Sequence, residues 1–389
     1  MPLAFSTKAG TLALIHKKLH SARIAPIVVF TVAEWQADRA GCISKVQPGT
    51  GAGQWIVRSS CQREDGAAAS NAGAFLSLLD ITAKGLENAI EQVIAAYGEP
   101  VAANEVLIQP MLSNVLRSGV AFSHDPNTCA PYRVVNWLEG SDTTAVTSGI
   151  GGRNWQQAAQ SAIPPPPSLS GVLALLEELL VLFGNVPVDC EFAVTREEES
   201  EVLWLLQARP LILTRKPETP KLQSDRLQRI QDKIARGMQP HPFLMGRRTV
   251  YGVMPDWNPA EIVGIRPKPL ALSLYRELIT DTIWAYQRHN YGYRNLRSFP
   301  LMPHFFGLPY IDVRLSFNSF VPADLDDVLA GRMVDHYIDR LLAEPTLHDK
   351  VEFEIVFSCY TLDLPQRLER LAEAGFSKSE REAISDSLR

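Results

Sequence analysis

Two runs of sequence, VDCEFAV beginning at residue 188 and LLQARP beginning at residue 205, decide how the first part of this chain folds. Each run is typical of a strand, and an acidic turn over residues 196–200 separates them. Side chains two positions apart on a strand project from the same face of the sheet. If the two strands pair across the turn, four polar side chains share one surface: Asp189, Glu191, Gln207 and Arg209.

These four side chains suit the binding of a nucleotide. Two carboxylates and an amide form an oxygen set that Mg²⁺ accepts, so Asp189, Glu191 and Gln207 are candidate metal ligands. Arg209 can meet a phosphate, because the donors of a guanidinium form a planar fork. The alternative is purely structural, with the two acids facing solvent or pairing with Arg209.

A second candidate site lies in IVRSSCQREDGAAASNAGAF, residues 56–75. Arg58 is expected near the end of a strand, where α/β sheets usually present ligand-binding groups. The small residues over 66–73 would let backbone amides approach an anion closely. This stretch therefore predicts a phosphate-binding Arg58 beneath a covering loop. The alternative is an ordinary surface loop in which Arg58 pairs with Glu64 or Asp65.

Composition places the chain among soluble globular proteins. Its 389 residues are 46% hydrophobic and 21% charged, and a net charge of -5 with a pI near 6.0 gives no overall attraction to nucleic acid or to an anionic membrane. Five scattered cysteines without a CxxC pair predict neither a disulfide framework nor a zinc site, which favours the cytoplasm. No stretch reads as a signal peptide or a membrane span.

The periodicity of apolar residues predicts a mixed fold, α/β or α+β, with many strands. Helices are expected to begin near Lys8, Leu86 and Ser168. Strands are expected at PIVVFT, QWIVRSS, EVLIQPML, SGVAFS, YRVVNW, VDCEFAVT and EVLWLLQARPLIL.

The same pattern predicts two units joined by a linker. The first unit covers residues 1–213, and residues 214–243 are polar and bounded by prolines, as in a linker with one charged helix. Residues 244–389 form a second, smaller mixed α/β unit. Within it, IDVRLSFNSF over residues 311–320 alternates apolar and polar side chains, which predicts a half-buried strand.

Taken in order, these segments resemble the N-terminal ATP-binding domain of the phosphoenolpyruvate synthase and pyruvate phosphate dikinase family. The resemblance rests on linked motifs within residues 1–213: VRSS, Glu64-Asp65 with Ser70-Asn71-Ala72-Gly73, VLIQPML, SGVAFSHDP, VDCEFAV and LLQARP. In that family the domain is an ATP-grasp fold that binds ATP and Mg²⁺ between two subdomains. The later DWNPAEIVGIRPKPLALSLYREL is similar to the segment that follows this domain.

The resemblance also implies roles for single residues. Lys8 in STKAGTL matches a lysine that contacts ATP phosphate. Arg58 and Arg209 match phosphate-contacting arginines and are the candidate catalytic residues, which would neutralise phosphate charge during transfer. Glu191 and Gln207 match residues near the metal and the triphosphate.

Three further positions are carried over with less specific roles. Asp189 matches the acid two residues before the glutamate of the family motif, next to the metal. Gln109 and Met111 lie in a segment that, by resemblance, lines the adenine pocket.

The chain departs from the family pattern at two places. Phe5-Ser6-Thr7 precedes Lys8 where the family commonly has glycines, and GSDTTAVTSG replaces an acidic glycine motif, leaving Ser141 or Asp142 as stand-ins. Both departures concern the geometry around the nucleotide.

The function that the resemblance implies is transfer of a phosphoryl group from MgATP to a histidine, and ultimately to pyruvate or a related small acceptor. None of the eight histidines lies in the family's Thr-Ser-His-Ala type motif, so the phosphohistidine domain is expected downstream or on a separate polypeptide. Two alternatives stay open, a self-contained ATP-grasp ligase that activates a carboxylate and a protein that binds ATP without turnover.

Overall fold

The computed structural model describes residues 2–46, 53–61, 76–98, 101–140, 152–253, 258–359 and 361–389. It shows a mixed α/β protein with antiparallel sheets, which confirms the predicted fold class. The chain divides into two compact units, Met1–Arg226 and Leu227–Arg389. The division falls inside residues 214–243, the stretch predicted as a linker.

The first unit contains most of the sheet structure. Its helices are α1 (Lys8–Ile15), α2 (Val32–Ala37), α3 (Arg39–Ser44), α4 (Leu86–Ala95) and α5 (Pro167–Leu182), and α6 (Pro220–Gly237) continues into the second unit. Its strands are β1 (Val28–Thr31), β2 (Gln54–Ser60), β3 (Ser77–Thr82), β4 (Glu105–Pro110), β5 (Val115–Phe122), β6 (Tyr132–Glu139), β7 (Arg153–Ala158), β8 (Val188–Glu197) and β9 (Ser200–Pro210).

Every strand predicted in this unit is present, but the sequence missed β3 and β7. Both lie at the edge of a sheet, β3 beside β2 and β7 beside β6. An edge strand buries less of its surface than a central strand, so it needs no continuous apolar run. The sequence RNWQQA of β7 accordingly carries little of the pattern that identifies a strand.

Two sheets organise the unit. The first has the order β1-β4-β2-β3 and packs on α4, with Val57, Ile90 and Ile108 in its core. The second has the order β7-β6-β5-β8-β9 and packs on α1 and α5, with Leu12 and Phe192 in its core. Only residues 111–114 connect β4 of the first sheet to β5 of the second.

Strand β4 contributes to both cores. Val106 and Ile108 lie in the core beneath the first sheet, whereas Leu107 lies in the core of the second sheet. Neighbouring residues of a strand project to opposite faces, so the first sheet presents one face to each core. The face that carries Leu107 is the one on which the candidate site forms.

The second unit is largely helical. Its helices are α7 (Pro259–Ile262), α8 (Pro269–Tyr275), α9 (Trp284–Asn290), α10 (Val313–Asn318), α11 (Asp327–Ala343), α12 (Leu364–Glu373) and α13 (Lys378–Ser387), and its short strands are β10 (Tyr251–Gly252), β11 (His304–Phe305), β12 (Leu308–Pro309) and β13 (Ile311–Asp312). Wider π-helical turns form Arg276–Ile283 and Val351–Ile355.

The strand predicted over residues 311–320 is wrong beyond its first two residues. Asp312 accepts a hydrogen bond from the Leu315 backbone N–H at 3.2 Å and so caps α10, which continues to Asn318. Three polar positions of the alternating pattern, Arg314, Ser316 and Asn318, are buried rather than solvent-facing. Arg314 donates to the carbonyl oxygens of Gly237 and Gln239 at 3.0 and 2.8 Å, which satisfies backbone acceptors at the end of α6.

Side chains cap two further helices of this unit. The Glu261 backbone N–H donates to the side chain of Asn258 at 3.3 Å at the start of α7. Ser377 and Glu380 form a capping box at the start of α13.

No two of the five cysteines form a disulfide bond, and all five lie in the described ranges. Among the helices described, none is long and apolar enough to cross a lipid bilayer.

The SGVAFSHDP motif forms a buried polar junction after β5. The Ser123 backbone N–H donates to the Val188 carbonyl at 2.9 Å, and the Val188 N–H donates to the Ser123 hydroxyl at 2.7 Å. The neighbouring His124 has a pKa lowered from 6.5 to about 4, chiefly by burial and then by the charge of Arg133, with Glu177 opposing. His124 is therefore neutral in the folded protein near pH 7.

We expect the wild type to lose stability when the pH drops from about 7 to about 5, because of His124. Its free energy of unfolding should fall by about 2 kcal/mol more than that of His124→Gln over this range. The unfolded chain binds a proton at His124 near pH 6.5, whereas the folded chain resists until about pH 4. The contribution of His124 is therefore complete above pH 6.5 and is lost as the pH falls towards 4. Urea denaturation at several pH values measures the difference, and parallel pH profiles would contradict it.

Candidate functional site

Strands β8 and β9 pair across the acidic turn as predicted, and the pairing brings the four polar side chains together. Asp189 lies opposite Arg209, and Glu191 lies opposite Gln207. Residues directly opposite in an antiparallel pair share a face. Alternate residues of β8, including Cys190 and Phe192, belong to the core of the second sheet. The four polar residues therefore occupy the other face, away from that core.

A β-bulge sets the orientation of two of these residues. The register shifts between Glu191 and Phe192, which lies opposite Leu205, so Leu206 is an extra residue in β9. Leu205 lies in the core, and strict alternation would send Gln207 and Arg209 to the same side. The extra residue reverses their direction and puts both on the face of Asp189 and Glu191.

Arg58 reaches this face from the first sheet. Its Nη2 donates to Glu191 Oε2 at 3.3 Å and to Gln207 Oε1 at 3.2 Å, and its Nη1 donates to the carbonyl oxygen of Leu206 at 3.4 Å. The Leu206 carbonyl is that of the bulge residue. Arg58 therefore joins the two sheets at the point where β9 is irregular.

The hydrogen bonds of Arg58 are long, and they do not use all of its donors. Charge-assisted bonds between nitrogen and a carboxylate are normally about 2.7–2.9 Å long, and the Arg58–Glu191 contact is longer, at 3.3 Å. The Arg58 Nε is buried and has no hydrogen-bond partner among the described residues. Only 12% of the side chain is exposed. The guanidinium is therefore held close to its three acceptors, although their hydrogen bonds do not use all of its donors.

Asp189 and Arg209 form a tighter pair than Arg58 and Glu191. Both the Nε and the Nη2 of Arg209 lie 2.7 Å from Asp189 Oδ2. The Asp189 side chain is 8% exposed and that of Arg209 is 22% exposed. Burial raises the pKa of Asp189, and the attraction to Arg209 opposes this effect. The buried carboxylate of Asp189 is thus stabilised in its charged form by Arg209. This pairing is the structural alternative that the sequence left open for the two residues.

Lys8 is the first residue of α1 and is buried. The start of this helix is tied to the first sheet, because the Ala9 N–H donates to the Ser60 hydroxyl at 3.1 Å and the Thr7 hydroxyl donates to Glu105 at 2.7 Å. Ser60 also donates to Glu105, at 3.0 Å. Ser60 lies two residues beyond Arg58 on β2, so α1 begins on the same face of the sheet as Arg58.

Gln109 and Met111 lie where the chain passes from the first sheet to the second. The buried Gln109 side chain donates to the Ala25 carbonyl at 3.4 Å, and the Met111 backbone N–H donates to the Gln54 carbonyl at 3.0 Å. Gln109 lies opposite Ile56 in the register of β2 and β4. The structure thus puts this segment two residues along β2 from Arg58, at the connector between the sheets.

The side chains on this face could bind Mg²⁺ through carboxylate and amide oxygens together. The described residues contain no group of three or more His, Cys, Asp or Glu side chains that could hold a metal ion. Asp189, Glu191 and Gln207 offer two carboxylates and one amide on a single face. Hard cations such as Mg²⁺ accept this chemistry and take their remaining ligands from water and phosphate.

Sequence reasoning missed several groups that build the site. Thr7, Ser60 and Glu105 anchor α1, and the Leu206 carbonyl holds Arg58. A helix-capping threonine before Lys8 was a readable signal, but the bulge at Leu206 was not. Other expected contributors lie outside the described residues: Glu64, Asp65, Ser70, Asn71, Ala72, Gly73, Ser141 and Asp142.

Comparison with known proteins gives only weak likenesses. No family model and no curated protein matches the chain. Among solved structures, the D-alanine–D-alanine ligase of Helicobacter pylori aligns with 19% identity and a TM-score of 0.31, over 52% of this chain and 54% of the ligase. The chain thus spans about half the length of that ligase.

Two further solved structures align at similar levels. PH1788 of Pyrococcus horikoshii has 12% identity and a TM-score of 0.31, over 54% of this chain and 90% of its own. The biotin carboxylase domain of a thermophilic 2-oxoglutarate carboxylase, bound to ADP, has 13% identity and a TM-score of 0.21, over 53% and 40%. Likenesses at this level do not assign a function to the chain.

We expect Arg209→Ala to lower the free energy of unfolding by about 3 kcal/mol, because it leaves the buried Asp189 carboxylate without its partner. The double variant Arg209→Ala/Asp189→Asn should recover part of this loss. Arg153→Ala is the matched control: its ion pair with Glu139 is exposed and should contribute at most about 1 kcal/mol. Chemical denaturation measures all three variants. Equal losses for Arg209→Ala and Arg153→Ala would show that the Asp189 pair is not a buried, coupled pair.

Proposed function

We propose that the first unit binds MgATP between its two sheets, as an ATP-grasp domain does. The observation that carries this proposal is the position of Arg58, which extends from β2 to Glu191, Gln207 and the bulge carbonyl of β9. The long contacts of its Nη1 and Nη2 leave donor capacity for an oxyanion. A triphosphate bound there would receive charge-assisted hydrogen bonds that the protein itself does not complete.

The charges around Arg58 suit a metal-bound triphosphate. Lys8, Arg58 and Arg209 supply three positive charges, and Asp189 and Glu191 supply two negative charges. The cations would hold phosphate oxygens, and the two acids with Gln207 would hold Mg²⁺, which bridges phosphate oxygens and reduces their charge. Gln109 and Met111, at the connector, would contact the adenine.

The chemistry that follows from this arrangement is phosphoryl transfer by positioning and electrostatics. Arg58 and Arg209 would stabilise the charge on the transferred group, and no nucleophile from this face is required. We propose that the acceptor is a histidine on a domain of the phosphoenolpyruvate synthase and pyruvate phosphate dikinase type, with pyruvate or a related small acceptor as the final recipient. The order of the linked motifs along residues 1–213 supports this choice.

We expect Arg58→Ala to weaken MgATP binding at least about tenfold, since a charged hydrogen bond is worth roughly 1.5–3 kcal/mol. Arg58→Lys should restore only part of the affinity, because a lysine keeps the charge but not the planar fork. Glu191→Ala should weaken binding in the presence of Mg²⁺ more than in its absence.

Isothermal titration calorimetry measures these affinities. Arg153→Ala, which removes an exposed arginine of β7, should bind MgATP as the wild type does. Failure of the wild type to bind MgATP would overturn the assignment of the unit. Unchanged affinity in Arg58→Ala and Glu191→Ala would instead overturn the choice of residues.

Product analysis separates phosphotransfer to histidine from the activation of a carboxylate. The chain is incubated with labelled ATP and with a polypeptide that carries the family's phosphohistidine motif. We expect AMP, inorganic phosphate and one labelled phosphoryl group on the histidine, which with one water accounts for all three phosphoryl groups of ATP. ADP formation that depends on an added carboxylate would indicate the ligase alternative. Binding without turnover would indicate a protein that only binds ATP.

A further inference from the structure

Two of the three candidate metal ligands in the first unit contact the same arginine. Arg58 Nη2 donates to Glu191 Oε2 at 3.3 Å and to Gln207 Oε1 at 3.2 Å. Both oxygens belong to the set that could bind Mg²⁺. The guanidinium of Arg58 and a metal ion would therefore compete for them.

The third candidate ligand is paired as well. Arg209 Nε and Nη2 both lie 2.7 Å from Asp189 Oδ2. The Asp189 side chain is 8% exposed, whereas that of Glu191 is 22% exposed. Each of the two acids therefore has an arginine partner, and Glu191 is the more accessible acid.

The two ion pairs differ in the length of their contacts. Charge-assisted hydrogen bonds to a carboxylate are normally about 2.7–2.9 Å long. The contact of Arg209 with Asp189 has this length, whereas the contact of Arg58 with Glu191 is longer, at 3.3 Å. A long hydrogen bond is weaker than a short one, so the pair of Arg58 and Glu191 is the one that a ligand can open.

Arg58 and a metal ion cannot share these oxygens without strong repulsion. Two positive charges a few Å apart repel each other, and the repulsion is strong where the charges are mostly withdrawn from water. Only 12% of the Arg58 side chain is exposed. A triphosphate removes the conflict, because its oxygens accept hydrogen bonds from the guanidinium and also bind the metal.

We propose that Arg58 excludes the metal ion from Glu191 and Gln207 until a phosphate binds to the arginine. When MgATP binds, Arg58 exchanges Glu191 for phosphate oxygens, and Glu191 exchanges Arg58 for the metal. No charge is left unpaired by this exchange, which avoids the cost of an isolated buried charge. Metal and nucleotide therefore bind together. This inference rests on the proposed function, because it takes the phosphates of MgATP as the groups that release Arg58.

The test is a titration of the whole chain with Mn²⁺ in the absence of nucleotide, with free Mn²⁺ measured by electron paramagnetic resonance. Arg58→Ala should bind Mn²⁺ at least about tenfold more tightly than the wild type, because the competing charge is gone. Arg58→Gln, a neutral variant that keeps a long polar side chain, should change the affinity in the same direction. Arg58→Lys should stay within about threefold of the wild type, because lysine keeps the charge.

Two controls locate the effect. Arg153→Ala removes an arginine whose ion pair with Glu139 is exposed, so its affinity for Mn²⁺ should equal that of the wild type. The double variant Arg58→Ala/Glu191→Ala should lose the gain, because Glu191 is the ligand that the first substitution releases.

The inference is overturned if neither Arg58→Ala nor Arg58→Gln binds Mn²⁺ more tightly than the wild type, or if the gain persists in the double variant. Calorimetry with MgATP separates this failure from that of the proposed function. Binding of MgATP that depends on Arg58, without a gain in Mn²⁺ affinity, overturns only the exclusion of the metal. A gain in Mn²⁺ affinity in a chain that does not bind MgATP overturns the proposed function and supports the competition between Arg58 and the metal.

Discussion

The first unit depends on one side chain that crosses between its sheets. Arg58 belongs to β2, yet its guanidinium contacts Glu191, Gln207 and the backbone of Leu206 on β8 and β9. An arginine that is mostly buried has to meet acceptors, because an unpaired buried charge is costly. This requirement fixes the part of the second sheet that must lie opposite β2, and so it fixes the position of the candidate site.

The other features of the site follow from the same face of the first sheet. Ser60 and Glu105 lie side by side on β2 and β4 and hold the start of α1, so Lys8 begins its helix near the arginine. Leu107 lies opposite Arg58 on the same face and belongs to the core of the second sheet. One face of the first sheet thus supplies the apolar contact of Leu107, the anchor for α1 and the cation of Arg58. The connector after β4 leads directly into the second sheet.

Buried polar groups also organise the second unit. Arg314 and Asn318 project from α10 into the interior. The arginine donates hydrogen bonds to backbone carbonyls at the end of α6 and just after it, and the amide donates to the carbonyls of Met245 and Arg314. These hydrogen bonds take the place of the contacts with solvent that the alternating pattern predicts for the two side chains.

The sequence by itself determined the strands with strong apolar runs, the amphipathic helices, and the pairing of VDCEFAV with LLQARP across an acidic turn. These features depend on neighbouring residues, and their periodicity can be read directly. The sequence also predicted that Gln207 and Arg209 share a face with Asp189 and Glu191 if the two strands pair. The tertiary structure alone showed that this needs the bulge at Leu206, because strict alternation from the buried Leu205 would have turned both side chains towards the core. It also decided that residues 313–318 are a helix and that Arg58 meets Glu191, since both results depend on partners far away in sequence.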